Sequence, residues 1–183
     1  MPAQLPAVES RIFTLIVDER HKLDPKAQAM TLDPELVMIA RKRSAEMALK
    51  NSFASDDPHE SATMLMDADA NFEGLIGENV AAQHFTPGTG IDPDAVAQRF
   101  VETWLASAPH KENLGFADYD RTGVGAAANG DTIYVTQLFT TNLGFEPRKG
   151  SAPPSQATPV VSPKKAKDDS QKVPLRGDIA PGG

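Results

Sequence analysis

The sequence contains no cysteine among its 183 residues. Disulfides, thiolate metal ligands and cysteine nucleophiles are therefore excluded, whereas the compartment stays open because a chain of this length can pack a core without cross-links. A basic excess is also lacking. The formal net charge is −7, which argues against a nucleic-acid partner because no surplus of cations is available to pair with phosphates.

Long apolar runs are absent as well. No stretch approaches the ~18 residues of a membrane-spanning helix, so we expect no transmembrane segment. The opening, Met1–Pro6, has neither the basic start nor the apolar centre of a secretory signal peptide. The G-x-S-x-G turn that presents the serine of many hydrolases does not occur either.

The composition divides the chain into a domain, residues 1–146, and a tail, residues 147–183. The tail is rich in Pro and Lys and has no aromatic residue. Such a segment buries too little surface to offset its ordering entropy, so we expect it to be disordered. It carries seven Lys and Arg against three Asp, a net charge of +4, which leaves −11 for the domain.

Helical spacing of apolar residues and Asp-Pro starts predict four helices in the domain. They span 7–21, 33–50, 78–83 and 92–107, with a loop over 52–71. Strands are predicted over 122–127 and 132–140, joined by Asn129-Gly130, a strong hairpin signal. Helices first and an antiparallel ribbon last predict an α+β fold.

Two polar residues, distant in sequence, are candidates for one site. Glu78 lies in Gly77-Glu78-Asn79-Val80-Ala81, and His110 follows a helix that carries Trp104. A fold that brings Glu and His together can build a metal site or an acid–base pair. Plainer interpretations are a helix-start carboxylate for Glu78 and a helix-end imidazole bonded to backbone carbonyls for His110.

Five segments in order resemble the bacterial members of the CAP superfamily, also called the SCP domain. They are Leu15 to Arg20, Leu32 to Ala48, Gly77 to Ala81, Trp104 to Leu114, and Gly123-Val124-Gly125 with Tyr134 to Phe139. The resemblance implies an α-β-α sandwich with a central antiparallel sheet. It also implies an open cleft with two His and one or two Glu that bind a divalent cation such as zinc in some members.

The residues that the resemblance assigns to this cleft are incomplete here. Glu78 and His110 match, but Ser55 stands where the first His would be, and neither Glu102 nor Ser107 is a secure match for the second Glu. Since a neutral hydroxyl is a poor zinc ligand, we expect at most weak divalent-cation binding at Glu78 and His110. His59, or alternatively Asp56 or Asp57, would be the nearest substitute for the missing ligand.

By this resemblance the chain is expected to be an exported, secreted or periplasmic, monomeric binding module rather than an enzyme. The family's ligands include sterols, fatty acids and protein partners, so a small apolar ligand or a protein partner is expected. One alternative is a hydrolase, metal-dependent or using Ser55 with His110 and Glu78. The other is a structural protein in which the cleft is a relic.

Overall fold

The structure, a computed structural model, describes residues 4–53, 60–69, 72–86, 90–141 and 172–174. Its helices are α1 (Leu5–Leu23), α2 (Pro34–Lys50), α3 (Glu60–Ala68), α4 (Pro93–Ala106) and α5 (Ala108–Gly115). Its strands are β1 (Thr31–Leu32), β2 (Ile76–His84), β3 (Arg121–Asn129), β4 (Thr132–Thr140) and β5 (Lys172–Pro174). Within these ranges, no helix combines the length and the apolarity needed to cross a membrane.

The two Asp-Pro helix starts are confirmed. Asp33 accepts hydrogen bonds from the backbone N–H groups of Glu35 and Leu36, and Asp92 caps α4 in the same way. Each side chain thus satisfies backbone donors that have no partner within the helix. The predicted first, second and fourth helices therefore appear as α1, α2 and α4.

The sheet has the strand order β1-β3-β4-β2-β5. Its centre is antiparallel: β3 pairs with β4, and β4 pairs with β2. The predicted hairpin is confirmed, but its two-residue loop is Gly130-Asp131, since Asn129 still pairs with Thr132. Gly130 has φ +59, and a positive φ at the first loop residue is the type II′ pattern.

Helices cover both faces of this sheet, as the α-β-α expectation requires. One layer consists of α1, α4 and α5, whose core residues include Ile12, Phe100 and Leu114. The other layer consists of α2 and α3, with Leu36, Ile39, Ala62 and Leu65 packed on Ile76 and Leu138. Apolar burial on both faces explains why the central strands contain few charged residues.

Close approach of α2 to β3 depends on two glycines. A Cβ built on Gly123 or Gly125 would lie less than 3.0 Å from backbone atoms of α2. Ser44 fastens the same contact by donating from Oγ to the carbonyl oxygen of Gly125 at 2.9 Å. The Gly123-Val124-Gly125 segment therefore sets the distance between the helix and the sheet.

Two of the predicted elements are wrong. Residues 78–83, predicted as a short helix, belong to β2, which pairs with β4 over nine residues. Short apolar runs do not distinguish a helix from a strand buried on both faces, and β2 is buried along almost its whole length. The predicted loop over 52–71 contains α3, whose Ala62 and Leu65 are buried beside α2.

The predicted tail lies outside the described residues except for β5. This three-residue strand pairs in parallel with Ala82–His84 at the edge of the sheet. Phe85 donates its backbone N–H to Asp131 on the β4 side. Because backbone groups alternate in direction along a strand, the N–H of Gln83 also faces β4, while that of His84 faces β5.

Candidate functional site

Glu78 is held on the sheet face that α2 and α3 cover. Its neighbour on this face, Val80, packs beside Met47 of α2, as the alternation of side chains along a strand requires. Ser61 of α3 donates from Oγ to Glu78 Oε1 at 2.5 Å. Arg43 Nε lies 3.9 Å from the same oxygen, and both side chains are only 2% exposed.

Arg43 joins this carboxylate to further residues of α2 and α3. Its Nη1 lies 2.9 Å from Glu60 Oε2, and its Nη2 donates to the carbonyl oxygen of Phe53 at 3.1 Å. Glu46, one turn further along α2, hydrogen-bonds to Glu60. We call Arg43, Glu46, Glu60, Ser61 and Glu78 the Arg43 cluster.

Protonation in the Arg43 cluster differs from that of carboxyl groups in water. Burial raises the pKa of Glu78, opposed by the hydroxyl of Ser61 and the guanidinium of Arg43. The hydrogen bond to Glu60, with burial, raises the pKa of Glu46. Glu46 and Glu78 therefore hold their protons to a higher pH than free carboxyl groups do.

His110 lies in α5, which packs against the other side of the same strand segment. The amide of Asn79 donates to the carbonyl oxygen of His110 at 3.1 Å. Asn113 donates from Nδ2 to the carbonyl oxygen of Glu78 and to Oδ1 of Asn79, both at 3.0 Å. The fold thus brings the buried His110 to the backbone of Glu78-Asn79, while the Glu78 carboxylate bonds to α3.

The model of the cysteine-rich secretory protein family, CAP, matches residues 24–140. The chain belongs to this family. Solved structures agree. An outer surface protein of Borrelia burgdorferi is 21% identical over 71% of this chain and 89% of that chain, with a TM-score of 0.55.

An extracellular SCP-domain protein of Bacillus anthracis is 28% identical over 75% of this chain, which spans 41% of that protein, with a TM-score of 0.57. The structure of NaASP2 with Zn²⁺ is 12% identical over 73% of this chain and 78% of that chain, with a TM-score of 0.52. No curated protein matches the chain.

The residues predicted for the CAP cleft have different outcomes. Glu78 in β2 and His110 in α5 are both buried, and their sharing of one cleft stays a prediction. Ser55 and His59 lie outside the described residues, as do Asp56 and Asp57. Glu102 is exposed on α4 and accepts a hydrogen bond from Gln98, so it is not part of this region.

The helix-start interpretation of Glu78 is wrong, because Glu78 lies within β2. Its environment depends instead on Arg43, Glu60 and Ser61, none of which was predicted as a site residue. One signal was available. Arg43 occupies the apolar face of α2 together with Leu36, Ala40 and Met47, and a buried arginine requires an anionic or carbonyl partner.

Proposed function

We propose that this CAP domain is an exported module that binds a small apolar ligand and does not turn it over. The observation that carries the proposal is the enclosure of Glu78. Its carboxylate accepts from Ser61, faces Arg43 and is 5% exposed as a residue. A general base or nucleophile must reach the substrate, whereas this carboxylate is occupied by the chain's own donors.

A second observation supports binding. A pocket of about 550 Å³ lies between the last turns of α1 and the loop that follows. Its apolar lining residues are Val17, Ala27, Ala29 and Met30, and its polar ones are Asp18, Arg20, His21, Lys22, Asp24 and Gln28. This volume is typical of small-molecule sites. Neither Glu78 nor His110 lines the pocket, so ligand binding here would not use the predicted cleft.

Export is proposed from the relatives. The Borrelia protein is an outer surface protein and the Bacillus protein is extracellular. A protein partner is the second ligand class, which the same family membership allows.

The pocket is tested with a fluorescent fatty-acid analogue and a fluorescent sterol. Ala29→Trp would fill the pocket and is expected to reduce binding of the probe at least tenfold. Ala45→Trp, at an exposed position of α2 outside the pocket, is the matched control and should bind as the wild type does. Equal binding by both variants would contradict the pocket assignment.

Turnover is tested separately with nitrophenyl esters of short and long acids. We expect no hydrolysis above the buffer rate. Hydrolysis that Glu78→Gln abolishes, in a variant shown to be folded, would favour the hydrolase alternative. Absence of both probe binding and hydrolysis would favour a protein partner.

A further inference from the structure

Among the residues that the structure describes, those around Glu78 do not fit the cation that CAP resemblance implies. A zinc site needs three or more N, O or S ligands that converge on one point. Among the described residues, no group of three or more His, Asp or Glu is arranged to hold a metal ion. The carboxylates of Glu60 and Glu78 converge instead on the guanidinium of Arg43.

We propose that Arg43 is the resident cation of this site: its guanidinium takes the place of a metal ion between Glu60 and Glu78 and joins α3 to the sheet. This role of Arg43 concerns the Arg43 cluster alone and does not depend on the pocket beside α1.

The guanidinium suits this role by its shape and its charge. A guanidinium is planar and positively charged, and it presents several N–H donors in fixed directions. Nη2 donates a hydrogen bond to the carbonyl oxygen of Phe53. Nη1 and Nε contact Glu60 and Glu78 as ion pairs, at 2.9 and 3.9 Å, without the geometry of a hydrogen bond. A metal ion would likewise connect donors from separate elements, but it would have to displace this side chain first.

Because Arg43 belongs to a well-packed helix, its guanidinium stays between Glu60 and Glu78. Arg43 lies in the middle of α2, and its neighbour Ser44 bonds to Gly125 of β3 and to Thr136 of β4. The charged head is 2% exposed. A divalent cation would therefore meet a fixed positive charge at the point where the carboxylates converge, and that charge cannot move away without unpacking the helix.

Three carboxyl groups carry more acidic charge than one guanidinium can offset. Glu60 and burial raise the pKa of Glu46, which favours a proton on one of these two carboxyl groups. One guanidinium and one proton would leave a single net negative charge on the cluster. Because Arg43 already contacts both Glu60 and Glu78, we expect the contact between α3 and the sheet to be independent of metals.

The test compares four chains: wild type, Glu78→Gln, Arg43→Ala and Arg43→Ala with Glu78→Gln. Zinc chloride and calcium chloride are titrated calorimetrically, and the unfolding midpoint is measured with and without EDTA. For the wild type, we expect no cation binding that depends on Glu78, and we expect EDTA to leave the unfolding midpoint unchanged. Arg43→Ala should gain at least tenfold in affinity for one of the two cations, and the double variant should lose that gain.

A second measurement addresses a poorly folded Arg43→Ala. Methylguanidinium at millimolar concentration should raise its unfolding midpoint, because it replaces the missing head group, and should leave Lys42→Met unchanged. Lys42 is the adjacent exposed cation on the same helix and serves as the matched control.

If the wild type binds zinc or calcium and Glu78→Gln abolishes that binding, the proposal is overturned whatever the Arg43 variants show. An Arg43→Ala chain that responds neither to the cations nor to methylguanidinium would overturn it as well.

Discussion

Replacement of Gly125 by alanine tests the helix–sheet contact on which the site is built. The added Cβ would lie less than 3.0 Å from backbone atoms of Ala40 and Arg41. Backbone cannot rotate away as a flexible side chain can, so α2 would have to shift by about 1 Å or more. That shift would loosen the bonds from Ser44 to Gly125 and Thr136.

The expected cost is about 2–6 kcal/mol, because overpacking alone costs about 1–3 kcal/mol and loss of a buried hydrogen bond adds about 1–3 kcal/mol. This is a large share of the ~5–15 kcal/mol by which a domain is stable. Urea unfolding followed by circular dichroism measures it.

Gly115→Ala is the matched control for Gly125→Ala. A Cβ at Gly115 would meet only Leu23, at 3.7 Å, an ordinary contact. We expect Gly115→Ala to change the free energy of unfolding by less than about 1 kcal/mol, as substitutions without a clash do. A Gly125→Ala protein as stable as this control would refute the close-packing argument.

Three further predictions concern other parts of the fold. Arg20 donates to the carbonyl oxygens of Leu114, Phe116 and Tyr119, so Arg20→Met should lower the free energy of unfolding by about 3–5 kcal/mol. Arg11 forms an exposed ion pair, so the control Arg11→Met should lower it by only about 0–1 kcal/mol. Urea unfolding of the two variants measures both values. The pKa values of Glu46 and Glu78 are raised in the folded protein above the ordinary value of 4.5. Their contribution to the free energy of unfolding is therefore fully present below pH 4.5 and is lost as the pH rises through their pKa values in the folded protein. Glu46→Gln should therefore stabilise the protein more at pH 8 than at pH 5, and equal effects at both would contradict this. Deletion of residues 151–183 should leave the melting temperature nearly unchanged. It should nevertheless speed hydrogen exchange at the backbone amide of His84, which faces β5, and leave the exchange rate of the Gln83 amide unchanged.

Local signals determined which elements could be predicted from the sequence. The Asp caps at Asp33 and Asp92 and the loop at Gly130 act within a few residues, so they appear in the sequence as they act in the fold. The strand β2 could not be recognised in this way. Its run Val80-Ala81-Ala82 suits either state, and pairing with β4, more than fifty residues later in the chain, decides between them.

The site was predictable only in part for the same reason. Motif resemblance pointed to Glu78 and His110 but not to the partners of Glu78. Arg43 and Ser61 reach the carboxylate of Glu78 because α2 and α3 pack on the sheet. Local sequence patterns do not predict this tertiary contact. Only the position of Arg43 on an otherwise apolar helix face indicates a buried ionic cluster.

Each residue of Gly77-Glu78-Asn79 meets a different structural requirement. A Cβ at Gly77 would lie less than 3.0 Å from the ring of Tyr119, so the packing of that side chain requires glycine. Glu78 completes the Arg43 cluster on one face of the sheet, and Asn79 fixes α5 on the other.

Because a strand sends consecutive side chains to opposite faces, these residues join both helical layers to one strand. Each residue of the motif therefore has a role in folding. Loss of binding in a variant of any of the three residues assigns a ligand contact only if the free energy of unfolding is unchanged.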